Sequence, residues 1–198
     1  MTTTSPDRER AWRTVDILVA AVIAVAFGVV FVVWNGVWAA STPVFTALPA
    51  AQAIIYGVWL MPGVLVGLIV RKPGAALFAG LLSATVSALV ASQWGLDTIL
   101  SGTIQGGGAE IAFALGRYRT WTLPIAILGA LLAGAGAVVH DIALYWAGMG
   151  PGFWAVFTIT LLLSAALIAG VGSWLLLRAL VATGVLSAFA VGREQREI

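Results

Sequence analysis

The chain reads as an all-α integral membrane protein, a bundle of six transmembrane helices with both termini in the cytoplasm. Two observations carry this. Of 198 residues, 61% are hydrophobic and 9% are charged, whereas an ordinary soluble domain has roughly 25% charged. Ten basic and eight acidic side chains cannot clothe a chain of this size in water, so the bilayer must be the solvent. The second observation is that the charges fall in short clusters separated by apolar stretches of about 20 residues, the length needed to cross a hydrocarbon layer.

Taken in order, the spans are 15–38, 47–70, 74–94, 98–116, 121–145 and 152–177, the last with a helical or interfacial extension to about residue 190. They make one transmembrane domain over 1–198, with no soluble domain on either side. The first span is longer than a signal-peptide apolar core, which argues against cleavage after it. The fourth is weakened as a continuous helix by Gly102 and the glycine run 106–108. Broken helices in a membrane are tolerated only against protein or a cavity.

Orientation follows from the basic residues. Arg8, Arg10 and Arg13 precede the first span, Arg71 and Lys72 join the second to the third, Arg117 and Arg119 join the fourth to the fifth, and Arg178, Arg193 and Arg196 follow the sixth. The opposite connections, 39–46, 95–97 and 146–151, contain no Lys or Arg. Cytoplasmic loops retain positive charge. Both termini are therefore expected inside, and the net charge of +2 is explained by topology with no need for a nucleic-acid partner.

Several chemistries have no residues to use. The chain has no cysteine and one histidine, and it contains neither H-E-x-x-H nor G-x-S-x-G. Its only lysine, Lys72, is followed by proline, so no Walker A loop exists. No enzyme activity, catalytic residue, resident metal or cofactor is expected, and ATP-driven movement would need a separate subunit. His140 and Asp141 are adjacent, about 100° apart on a helix, so a catalytic dyad is not expected there.

The polar groups left in or near the membrane are Asn35, Gln52, Gln93, Asp97, Gln105, Glu110, His140 and Asp141. Buried ionisable groups are expensive in lipid and are candidate functional residues. Helical spacing puts Gln52, Tyr56 and Trp59 on one face, Phe31, Asn35 and Trp38 on another, and Asp141 with Tyr145 on a third. Six tryptophans, Trp34, Trp38, Trp59, Trp94, Trp146 and Trp154, gather on the outer side. An interfacial aromatic belt accounts for such residues singly, but these share faces with amides and acids. Aromatic faces with carboxylates describe a pocket for a flat, cationic or amine-bearing ligand. The expected contacts are Glu110, Gln105, Trp34, Asn35, Trp38, Tyr56, Trp59, Trp94, Asp141 and Tyr145. Glu110, the deepest acid, is the leading candidate; its structural alternative is pairing with Arg117 or Arg119. Asp97 is read as a loop acid or helix cap. Ala20, Ala24 and Gly28 form a row of small residues to which a partner helix could pack closely, intramolecular packing being the alternative.

The runs Arg71-Lys72-Pro73-Gly74-Ala75-Ala76, G-T-I-Q-G-G-G-A-E over 102–110, and Thr183-Gly184-Val185-Leu186 resemble the YkoE family over essentially the whole chain. These are S components of energy-coupling factor (ECF) transporters associated with thiamine and its hydroxymethylpyrimidine precursor. The resemblance implies a six-helix S component in the bacterial cytoplasmic membrane that captures the vitamin from outside and docks on a transmembrane T component bearing two ATPases. It maps the alanine-rich docking face of that family's first helix onto Ala20 and Ala24. The chain departs from it at Gly80, where relatives carry an acid. The residues alone leave open a self-sufficient secondary transporter and a non-transporting scaffold or sensor.

Overall fold

The computed structural model describes residues 11–194; Arg8, Arg10 and Arg196 lie outside them. Helix α1 (Thr14–Ser41) is followed by two 3-10 segments, Thr42–Phe45 and Pro49–Ile55, and then α2 (Gly57–Val70), α3 (Ala75–Ala91), α4 (Asp97–Leu115), α5 (Leu123–Leu144) and α6 (Pro151–Ser164). A π-helical stretch, Ala165–Gly172, runs from α6 into α7 (Ser173–Ala182), and a short α8 (Ala190–Glu194) follows. Among the described residues, four stretches, Thr14–Phe45, Pro49–Val70, Leu123–Leu144 and Pro151–Ala182, are long and apolar enough to cross a membrane. The apolar α3 is shorter, at 17 residues.

The second stretch enters as a 3-10 helix instead of the expected α-turns. Pro49 starts it, and the tighter winding turns Ala50, Gln52 and Ala53 inward. Gln52 thereby leaves the face of Tyr56 and Trp59. Its amide donates to the Trp38 carbonyl at 2.7 Å and to the Ser41 hydroxyl at 3.0 Å, closing the C-terminus of α1, whose last carbonyls lack helical partners.

Helix α4 is continuous through its glycines, and packing explains them. It lies between α3 and α5. A Cβ on Gly106 would stand 2.9 Å from the Ala76 carbonyl of α3, and one on Gly108 2.6 Å from the Leu132 carbonyl of α5. Two of the three consecutive glycines therefore serve opposite neighbours. Gly80 is the α3 side of the same contact, where a Cβ would meet the Gly102 carbonyl at 2.6 Å. In this chain an acid at position 80 is incompatible with the approach of α3 to α4.

The row expected to dock a partner is inside the bundle. Ala20 and Ala24 are fully buried, and Gly28 faces Val86 and the Ser83 carbonyl of α3. The small residues bring α1 close to α3, the intramolecular alternative, and leave no groove there for another chain.

One end of the bundle gathers the basic clusters. Trp12 donates to the Pro73 carbonyl at 2.9 Å, Lys72 to the Ala11 carbonyl at 3.0 Å, and Arg71 lies over Trp121 at 5.4 Å. Arg13 pairs with the fully buried Asp16 at 2.7 Å and lies over Phe189. The opposite end contains the cavity.

Candidate substrate-binding site

A cavity of about 620 Å³ opens among the ends of α1, α2, α4, α5 and α6. Its size is that of a small-molecule site. Trp59 is the hub of its aromatic wall, with ring centres 5.2 Å from Trp38, 5.1 Å from Tyr56 and 5.5 Å from Trp94. The contacts with Tyr56 and Trp94 are edge-on, at 75° and 88°, an arrangement favoured by the ring quadrupoles. Phe31, Trp146 and Phe157 extend the wall.

The polar side comes largely from α4. Asp97, Ser101 and Gln105 recur every fourth residue and all line the cavity. Gln105 is buried and donates its amide to the Ser101 hydroxyl at 2.7 Å and to the Tyr56 hydroxyl at 3.4 Å. Asp97 opens α4, where the helix dipole favours a negative charge. From α5, Asp141 completes the set. Tyr145, just past α5, donates its hydroxyl to Asp97 Oδ2. A phenol is neutral at neutral pH, so Tyr145 stays a donor.

His140 joins the two acids. Its Nδ1 lies 2.8 Å from Asp141 Oδ1 and its Nε2 3.2 Å from Asp97 Oδ1. Although the two neighbours leave the helix about 100° apart, their side chains bend into the shared space between α4 and α5 and meet there. Among the described residues no group of three or more His, Cys, Asp or Glu is placed to hold a metal ion.

Of the expected contacts, Gln105, Trp38, Tyr56, Trp59, Trp94, Asp141 and Tyr145 line the cavity. Three do not. Trp34 turns away and donates to the Ile55 carbonyl at 2.9 Å. Asn35 stands behind the wall, accepting from Trp59 Nε1 at 3.2 Å while its amide reaches the Ala91 carbonyl at 3.4 Å, and so sets the tilt of the Trp59 ring. Glu110 is at the basic end. Its carboxylate accepts from the backbone N–H of Gly74 at 2.6 Å and of Ala76 at 2.9 Å, and from the Tyr118 hydroxyl at 2.7 Å. Gly74, at φ 85°, takes a left-handed conformation that costs little only for glycine, and this aims its N–H at the acid. Glu110 therefore caps α3, as the helix dipole favours.

Replacing Glu110 with Ala is expected to lower stability by about 2–3 kcal/mol, since three donors lose a charged acceptor. Ligand affinity should not change. Thermal unfolding and binding titrations in detergent check the two halves separately.

Sequence reading passed over Asp97, Thr98 and Ser101 as contacts, although the spacing of 97, 101 and 105 was a visible signal. Phe157 gave none.

A bundle of apolar helices with an aromatic and acidic cavity at one end defines a membrane-embedded binding subunit of the S-component type. A solved structure described as an S-component of an ECF transporter superposes with a TM-score of 0.89 at 30% identity, covering 94% of each chain. A relative from Bacillus subtilis (strain 168) that carries the name HMP/thiamine permease protein YkoE is 30% identical over 189 residues, which is 95% of this chain and 94% of its own. The family model described as the permease component of an ABC-type cobalt transport system matches residues 15–136. The chain belongs to the YkoE family of multi-pass membrane S components.

Proposed function

We propose that this chain captures thiamine or its hydroxymethylpyrimidine precursor at the outer face of the membrane for an ECF transporter. The observation that carries the reading is the cavity itself, with Trp38, Trp59 and Trp94 on one side and Asp97, Gln105 and Asp141 on the other. Tryptophan faces attract a cationic ring. The carboxylates and the Gln105 carbonyl accept hydrogen bonds from an aminopyrimidine. The name of the Bacillus subtilis relative supports the same ligand class.

The chain then crosses the membrane six times, its basic end inside, and both α3 and α4 count as spans. Movement of the ligand depends on a T component and two ATPase subunits. With Ala20, Ala24 and Gly28 packed against α3, the docking face is read as lying elsewhere on the bundle.

Ligand carried through purification and identified by mass spectrometry tests the substrate. Thiamine should also quench tryptophan fluorescence saturably, and the absence of both thiamine and hydroxymethylpyrimidine binding would refute the reading. Orientation is tested by single cysteines in this cysteine-free chain. Cysteines replacing the exposed Thr46 and Gly150 should react with an impermeant reagent from outside, and one replacing the exposed Thr120 should not; the reverse pattern would invert the topology.

A further inference from the structure

We infer that Asp97, His140 and Asp141 act as one relay with a net charge of −1, and that this single charge selects a singly charged organic cation over a neutral molecule of the same shape. The inference rests on the ligand reading above and concerns what the same site discriminates. His140 is only 6% exposed, and each ring nitrogen faces its own carboxylate, Asp141 at 2.8 Å and Asp97 at 3.2 Å. An ionised carboxylate only accepts hydrogen bonds, so each nitrogen must bring a proton. With Asp97 and Asp141 both ionised, two such bonds make the ring an imidazolium. One imidazolium between two carboxylates sums to −1.

The surroundings add no further charge. Tyr145 donates to the second oxygen of Asp97, and the Tyr56 hydroxyl lies beside Asp141; both are neutral donors. Among the described residues that line the cavity, no other is charged.

This arrangement has an unusual consequence for mutagenesis. In Asp97→Asn the new amide donates to Nε2, the imidazole gives up that proton, and Asp141 alone maintains −1. Asp141→Asn is the mirror case. Only the double change brings the relay to zero, because His140 compensates for the loss of either acid.

The experiment compares thiamine with an isostere in which carbon replaces the thiazolium nitrogen, abolishing the charge and keeping the shape. Both are titrated into the full chain in detergent. The wild type should prefer the cation roughly tenfold to a hundredfold, the scale for unit charges a few ångströms apart in a partly screened site. Each single variant should bind both ligands more weakly yet keep that ratio within about threefold, whereas the double variant should bring it near one. A single variant that loses the preference, or a double variant that keeps it, overturns the inference. His140 is the only histidine, so nitrogen-15 spectra of histidine-labelled protein report on one imidazole. Two protonated ring nitrogens are expected in the wild type and one in each single variant. A single protonated nitrogen in the wild type overturns the relay even where the double variant fails to fold. Wild-type protein that binds neither ligand would remove the thiamine reading instead, and the imidazole spectrum would then decide the relay alone.

Discussion

Gly108→Val is expected to abolish folded protein in the membrane, while Gly107→Ala, one residue earlier, should be neutral or stabilising. A Cβ at position 108 falls 2.7 Å from the Ala133 Cα and backbone nitrogen and 2.6 Å from the Leu132 carbonyl. These are main-chain atoms of α5, which cannot swing aside as a flexible side chain would. Relief requires α4 and α5 to separate, giving up contact along their length, and the cost should reach about 4 kcal/mol or more. At position 107 a Cβ meets nothing within 4 Å. Alanine there gains up to about 1 kcal/mol in helix propensity. Expression yield and thermal unfolding of the purified variants check both outcomes, and equal behaviour of the two would mean that the glycine run is not a packing device.

Trp59→Ala is expected to weaken thiamine binding about 5- to 150-fold, or about 1–3 kcal/mol. The indole contacts three other rings of the cavity wall, so its removal takes away a stacking surface and loosens Trp38, Tyr56 and Trp94 together. Trp34→Ala supplies the contrast. That ring is tied to the Ile55 carbonyl outside the cavity, and its loss should leave affinity unchanged. Titration calorimetry separates the two. A larger effect at position 34 than at 59 would mean the ligand sits elsewhere.

Much of this molecule could be read from its sequence, because lipid imposes long-wavelength patterns that survive without tertiary detail. The apolar stretches had to be helices, since a hydrocarbon layer leaves backbone groups no partners but their own. Gathering the aromatics at one end and the basic residues at the other needed only the helix boundaries and the alternation of connections. Seven of the ten expected contacts line the cavity for that reason.

What the tertiary structure decided concerns depth and direction, where a few ångströms reverse a role. Glu110 looked like the deepest ligand acid, yet it meets the start of α3 because α4 runs toward the basic end and Gly74 turns its N–H to the carboxylate. Ala20, Ala24 and Gly28 could have faced a partner or a neighbour, and small residues look the same in both cases; the choice was made by Val86 and Ser83 on α3. Position along a helix is set by local periodicity, which sequence records. Which helix lies opposite, and which donors lie within 3 Å of a carboxylate, depend on long-range packing. That is why the helical character and the aromatic end were readable from the chain alone, while the Asp97–His140–Asp141 cluster and the true place of Glu110 appeared only when the helices were brought together.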